Sequence, residues 1–167
     1  MPPEIEVARA ISEIFSALER LHTHGANDAS GSRVRREAVH FLWELRDGPK
    51  LAESRPHSVS AREHRRSGLT IGLDYDHSIP VSCFMPQLRR AAETPEQMLV
   101  ALRTFVRPVI LTSEEHRFLA ERGLRSKMPT KCELNDAFAR YREVGIAIEG
   151  TALKAQQSGP GANELDP

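Results

Sequence analysis

Only two stretches of this chain read as strands, and each sits among segments of helical spacing. LTIGLDYDH, from Leu69 to His77, alternates apolar and polar residues and contains β-formers. VRPVILT, ending at Thr112, is a short run of apolar and β-branched residues. With 167 residues the chain is long enough for a full hydrophobic core, and helices must supply most of it. The expected class is a helix-rich α+β single domain, with N-terminal helices packed around a small ββα unit.

The helical segments follow from spacing and from stop signals. Ile5, Ala8, Ile11, Ile14, Phe15, Leu18 and Leu21 recur every three or four residues and predict a helix over 3–22. HGANDASGS breaks it. A second helix is predicted over 32–46, with Val34, Ala38, Phe41, Leu42 and Leu45 on one stripe, ended by Asp47-Gly48-Pro49. PVSCFMPQLRRAA reads as irregular chain leading into a short helix, and Thr94-Pro95-Glu96 opens another, to about residue 105. Thr112 and Glu115 have the spacing of a capping box, opening a helix that ends near Gly123. Leu134, Phe138, Tyr141, Val144 and Ile148 predict a last helix over 134–148. Organisation is thus expected as 1–68 helical, 69–131 ββα with inserted helices, 132–150 helical and 151–167 a disordered polar tail.

Charge narrows the partners. The formal net charge is zero, yet residues 31–131 carry 18 basic against 12 acidic side chains, and both ends are acidic. Folding could gather that excess into a patch that attracts polyanions. No stretch of about 18 apolar residues lacks charge, so a membrane span is not expected. MPPEIEVARA has neither a basic start nor an apolar stretch, which predicts no signal peptide. Two cysteines, Cys83 and Cys132, cannot build a disulfide framework, and free thiols in a cytoplasmic protein are expected. The chain has no Gly-rich phosphate loop, HExxH, GxSxG or CxxC, so NTPase, zincin, α/β-hydrolase and thiol-redox chemistry have no motif to rest on.

Three features gather between residues 70 and 131. Asp76-His77 ends the first strand, and Ser78 to Pro80 supplies the break that would let a carboxylate and an imidazole converge. Glu114-Glu115-His116 occupies the first turn of a helix that directly follows the second strand, a rigid place for a ligand. Arg117, Arg122, Arg125, Lys127 and Lys131 lie on and after that helix. Each feature alone also fits a structural role: turn satisfaction for Asp76, capping for Glu115, a complement to the helix dipole for Arg125 and Lys127.

The order of strand, Asp-His, connection, strand and helix with an early His resembles the ββα-metal finger of the HNH endonuclease superfamily, over about residues 69–123. The run DHSIPVS…RPVILTSEEHRFLAERGLRSKMP also looks like uncharacterised bacterial HNH-like proteins. The resemblance implies His77 as general base, Asp76 and His116 as metal ligands, and Glu115 as a further ligand or merely the cap. It implies a divalent ion, Mg²⁺ or Mn²⁺ first and Zn²⁺ or Ni²⁺ next, and hydrolysis of phosphodiester bonds in a nucleic acid, DNA first. Arg117, Arg125 and Lys127, with Arg62, Arg65 and Arg66 as a second set, would contact phosphates.

The chain also departs from that family. No Asn holds the middle position of the motif, about 30 residues separate His77 from the second strand, and paired zinc-binding cysteines are absent. The alternative expectation is a non-catalytic nucleic-acid-binding or protein-interaction module that keeps the finger as scaffold. A third is a helical adaptor, whose exposed apolar stripe on helix 3–22 or 134–148 would seat a protein partner or a second copy.

Overall fold

The computed structural model describes residues 2–25 and 28–150. Among these described residues, seven α-helices and one two-stranded antiparallel sheet make a helix-rich α+β domain. Among the described residues no helix is long and apolar enough to cross a membrane. The tail expected over 151–167 lies outside the described residues.

Helix α1 (Glu4–Thr23) buries Val7, Ala8, Ile11 and Phe15. It lies along α5 (Pro95–Phe105), which buries Met98, Ala101 and Leu102. Thr94 caps α5 by accepting from the Gln97 N–H at 3.2 Å, and Pro95 fills its first turn, as the sequence predicts. Ser12, also buried on α1, donates to the Ala92 carbonyl at 2.7 Å and ties the helix to the turn before α5. Val39, Trp43, Ile79, Phe84 and Leu88 complete this main core.

The second helix departs from its predicted course. Helix α2 (Asp28–Ala38) starts four residues early, and it continues into a π-helical turn (Val39–Trp43) and a 3₁₀ turn (Glu44–Asp47). Val39 and Trp43 are buried in line with Arg35, at four-residue spacing, while Val34, Phe41 and Leu42 are exposed, so the buried face is not the predicted stripe. Arg35, off the predicted stripe, is buried instead: it pairs with Asp28 and Glu19, its guanidinium 6.0 Å from the Phe15 ring centroid. Gly48, at φ 116°, ends the segment in a conformation that few residues other than glycine adopt.

Helix α3 (Val59–Arg66) forms from the basic stretch after Ser58, whose hydroxyl accepts from the Ala61 N–H at 3.0 Å. The first strand is shorter than predicted: β1 is Leu73–His77. Gly68 and Gly72 both have positive φ, and the Leu69–Ile71 segment between them is an exposed loop. Helix α4 (Val81–Arg90) takes up chain expected to be irregular, entered through Pro80.

Strand β2 (Pro108–Thr112) pairs with β1 in the register Leu73↔Thr112, Tyr75↔Ile110 and His77↔Pro108. Helix α6 (Ser113–Glu121) follows directly through the predicted capping box. The helix expected over 134–148 shrinks to α7 (Ala139–Glu143). The reason is competition for backbone: residues 147–149 pair with 57–59 instead, through Val59 N–H to Ala147 O and Glu149 N–H to His57 O, each 2.9 Å. Gly145, at φ 77°, turns the chain between the two. A second core of Val109, Leu111, Leu119, Tyr141, Ile146 and Ile148 joins β2, α6 and this C-terminal stretch.

Candidate functional site

Strand alternation decides the geometry at Asp76-His77. In β1, residues 74 and 76 share one face and 75 and 77 the other. Asp74 and Asp76 contact His116, while Tyr75 and His77 contact Glu44. The break at Ser78 to Pro80 does not bring Asp76 and His77 onto one ligand, because His77 is still paired, with Pro108, as the last residue of the strand. The expected convergence of that pair is corrected on this point.

On the α6 side, His116 Nδ1 lies 3.1 Å from Asp74 Oδ2, and Nε2 lies 3.9 Å from Asp76 Oδ1. Asp76 Oδ2 accepts from Tyr141 Oη at 2.9 Å and from Arg140 Nη2 in a short contact. Arg140 is fully buried and is met by five acceptors in all. Its other bonds run to the carbonyls of His77 (2.5 Å), Ser78 (3.1 Å), Leu124 (2.7 Å) and Arg125 (3.2 Å). Burial, and then the charge of Asp76, push the Tyr141 hydroxyl well above its ordinary pKa, so it stays a donor. A divalent ion on Asp76 would have to compete with this guanidinium. Among the described residues no group of three or more His, Cys, Asp or Glu is arranged to hold a metal. The residues do not fit the ion that the HNH resemblance implies.

Glu115 is spent on structure. Its Oε2 accepts from the Thr112 N–H (2.9 Å), the Thr112 hydroxyl (3.2 Å) and the Ser58 hydroxyl (2.5 Å), while Thr112 Oγ1 accepts from the Glu115 N–H (3.1 Å). It is a capping residue that also ties α6 to the start of α3.

On the opposite face, His77 belongs to a buried carboxylate network. Glu44, in the 3₁₀ turn, is 4% exposed. Its Oε1 lies 2.7 Å from His77 Nε2, and its Oε2 lies 2.8 Å from His40 Nδ1 and accepts from Tyr75 Oη at 2.5 Å. Burial alone would raise the Glu44 pKa, but the hydrogen bond and charge of His77, then Tyr75 and His40, outweigh it and lower it to about 2. An ionised carboxylate only accepts, so both histidines donate to it. Burial, reinforced by the Glu44 charge, raises the Tyr75 pKa.

The basic residues divide into two kinds. Arg62 and Arg66 both pair with Glu149, and Arg65 donates to the Leu51 carbonyl at 2.6 Å, so this set largely braces the C-terminal stretch and the 51–53 turn. Arg117 pairs with Glu121 along α6 at 3.5 Å. Arg122, Arg125, Lys127 and Lys131 are exposed on the loop after α6, which has no acidic residue between 122 and 132. The loop's backbone is pinned from inside: Arg140 holds carbonyls 124 and 125, Ser82 donates to carbonyl 126 at 2.7 Å, and Met128 packs on the main core.

Two residues central to these networks, Arg140 and Glu44, escaped the sequence reading, and Tyr141 entered it only as part of the apolar stripe over 134–148. Arg140 sits between Ala139 and Tyr141, and Glu44 sits between Trp43 and Leu45. A charge flanked on both sides by apolar or aromatic residues is the signal that could have flagged both. Comparison with family models, with curated proteins and with solved structures finds no match for this chain.

Two outcomes follow from these geometries. Arg140→Met should destabilise the fold by about 3–5 kcal/mol in urea unfolding, because Asp76 is left as a buried, uncompensated charge; adding Asp76→Asn should recover much of that loss. The Glu44 pKa is lower folded than its ordinary 4.5. Its contribution, about 3 kcal/mol, is therefore whole above pH about 4.5 and lost as pH falls from there toward 2. Glu44→Gln should flatten that part of the stability-against-pH curve and lower stability at neutral pH.

Proposed function

We propose that this chain is a non-catalytic module that binds a nucleic-acid backbone, using the ββα unit as scaffold rather than as active site. The observation that carries this reading is the internal pinning of the basic loop by Arg140. Arg140 draws the carbonyls of Leu124 and Arg125 inward. The side chains of Arg122, Arg125, Lys127 and Lys131 remain exposed around them. A loop held in one shape loses less entropy when phosphates bind, and phosphate contacts need only placed cations. The placement of His77 against Glu44, away from Asp76 and His116, argues against a base and a metal acting on one phosphate.

The order β1, β2, α6, with His116 beside Asp74 and Asp76, favours the second reading, a metal-dependent endonuclease. One experiment separates the two. Duplex DNA binding by fluorescence anisotropy should weaken with salt, with a log–log slope of about −3 to −4 for four phosphate contacts. Arg125→Ala/Lys127→Ala should reduce that slope by about 2. Plasmid in the same buffers with Mg²⁺ or Mn²⁺ should stay intact. Metal-dependent nicking that His77→Ala abolishes would establish the nuclease instead, and binding unchanged in the double variant would remove the loop from the account.

A further inference from the structure

A cavity of about 420 Å³ lies beside the Glu44 network, between the 43–47 turn, residues 54–56, the end of α5 and the start of β2. Its size is within the range of small-molecule sites. Trp43, Val109 and Phe138 supply apolar wall, while Arg46, Arg55, Arg103 and Arg107 supply charge. Two carboxylates also line it, and both are engaged: Glu44 by His40, Tyr75 and His77, and Asp47 by Arg46.

The four arginines outnumber the two carboxylates that pair with them, Glu4 and Asp47. Arg55 is only 6% exposed, yet its acceptors are backbone carbonyls alone: Glu44 at 2.7 Å, Gly48 at 3.0 Å and Pro49 at 3.2 Å. Those bonds fix the 44–49 turn and leave its positive charge without a carboxylate among the described residues. Arg46 shares Glu4 with Arg103 and holds Asp47, but its Nη1 is buried without a hydrogen-bond partner. A buried donor left unmet is costly, so an acceptor brought by a ligand would be favoured there. Arg107 is exposed, and its Nε donates only to the Thr104 carbonyl at 3.2 Å. An excess of guanidinium charge beside aromatic and aliphatic wall calls for a ligand with a flat, weakly polar body and a phosphate, since guanidinium groups pair with phosphate oxygens in a fixed fork.

We propose that this cavity is a binding site for a nucleoside monophosphate, with the phosphate on Arg107 and Arg46 and the base against Trp43 and Phe138. The site does not depend on the backbone-binding reading, because Arg125 and Lys127 line no part of it.

Trp43 is the only tryptophan in the chain, so its indole N–H resonance and fluorescence report on the cavity wall directly. Each of the four nucleoside monophosphates is titrated into the full chain, with the matching nucleoside and inorganic phosphate in parallel. At least one monophosphate should shift the Trp43 signal saturably, with its nucleoside and inorganic phosphate each at least tenfold weaker. Arg107→Gln, a surface change that leaves the 44–49 turn intact, should weaken that monophosphate about tenfold, while Arg125→Ala/Lys127→Ala should leave it unchanged. A Trp43 signal unmoved by all four would overturn the proposal. So would a nucleoside or free phosphate that binds as tightly as the monophosphate, or an affinity unaltered by Arg107→Gln.

Discussion

The buried guanidinium of Arg140 is the point on which this architecture turns. A fully buried arginine is tolerated only if its donors find acceptors, and five groups from two other parts of the chain meet them here. Three come from the end of β1, at residues 76–78, and two from the loop after α6. Fixing one side chain therefore fixes how the sheet, the basic loop and α7 stand to one another. Replacing such a pair by apolar side chains can leave stability intact, whereas removing one partner is costly. Its structural consequence here is placement of the loop.

The same strand carries a second charged network on its other face. Glu44 is ionised far below its ordinary range because three donors surround it: Tyr75 and His77 hold the 3₁₀ turn against β1, and His40 reaches Glu44 from the π-helical turn. The two networks together show why adjacency in sequence does not mean convergence in space. Asp76 and His77 are one residue apart, and strand pleating sends them to opposite partners. Convergence would have required the strand to end before His77, but the pairing of His77 with Pro108 extends it.

Features that depend on local chemistry could be read from the chain alone. The α5 cap at Thr94-Pro95, the capping box at Thr112 and Glu115, and the long amphipathic α1 all rest on neighbours within a few residues. The small two-stranded sheet followed by a helix follows from the same kind of signal. What escaped was set by distant partners. Arg35, Val39 and Trp43 form the buried face in place of the apolar stripe that had seemed continuous, and residues 147–149 left a helical pattern to pair with 57–59. Arg62 and Arg66 looked like free cations until Glu149 was placed beside them by that pairing. At the candidate site, Asp76 and His116 do lie near each other, but the sequence could not say that Arg140 stands on Asp76.

The central claim is that a guanidinium, and no metal ion, meets Asp76. Titration of the full chain with Mn²⁺, followed by the loss of the free-ion EPR signal, tests it most directly. The account predicts no stoichiometric Mn²⁺ binding near neutral pH, and no difference between the wild type and Asp76→Asn. One equivalent of Mn²⁺ bound tightly by the wild type and lost in both Asp76→Asn and His116→Ala would contradict it.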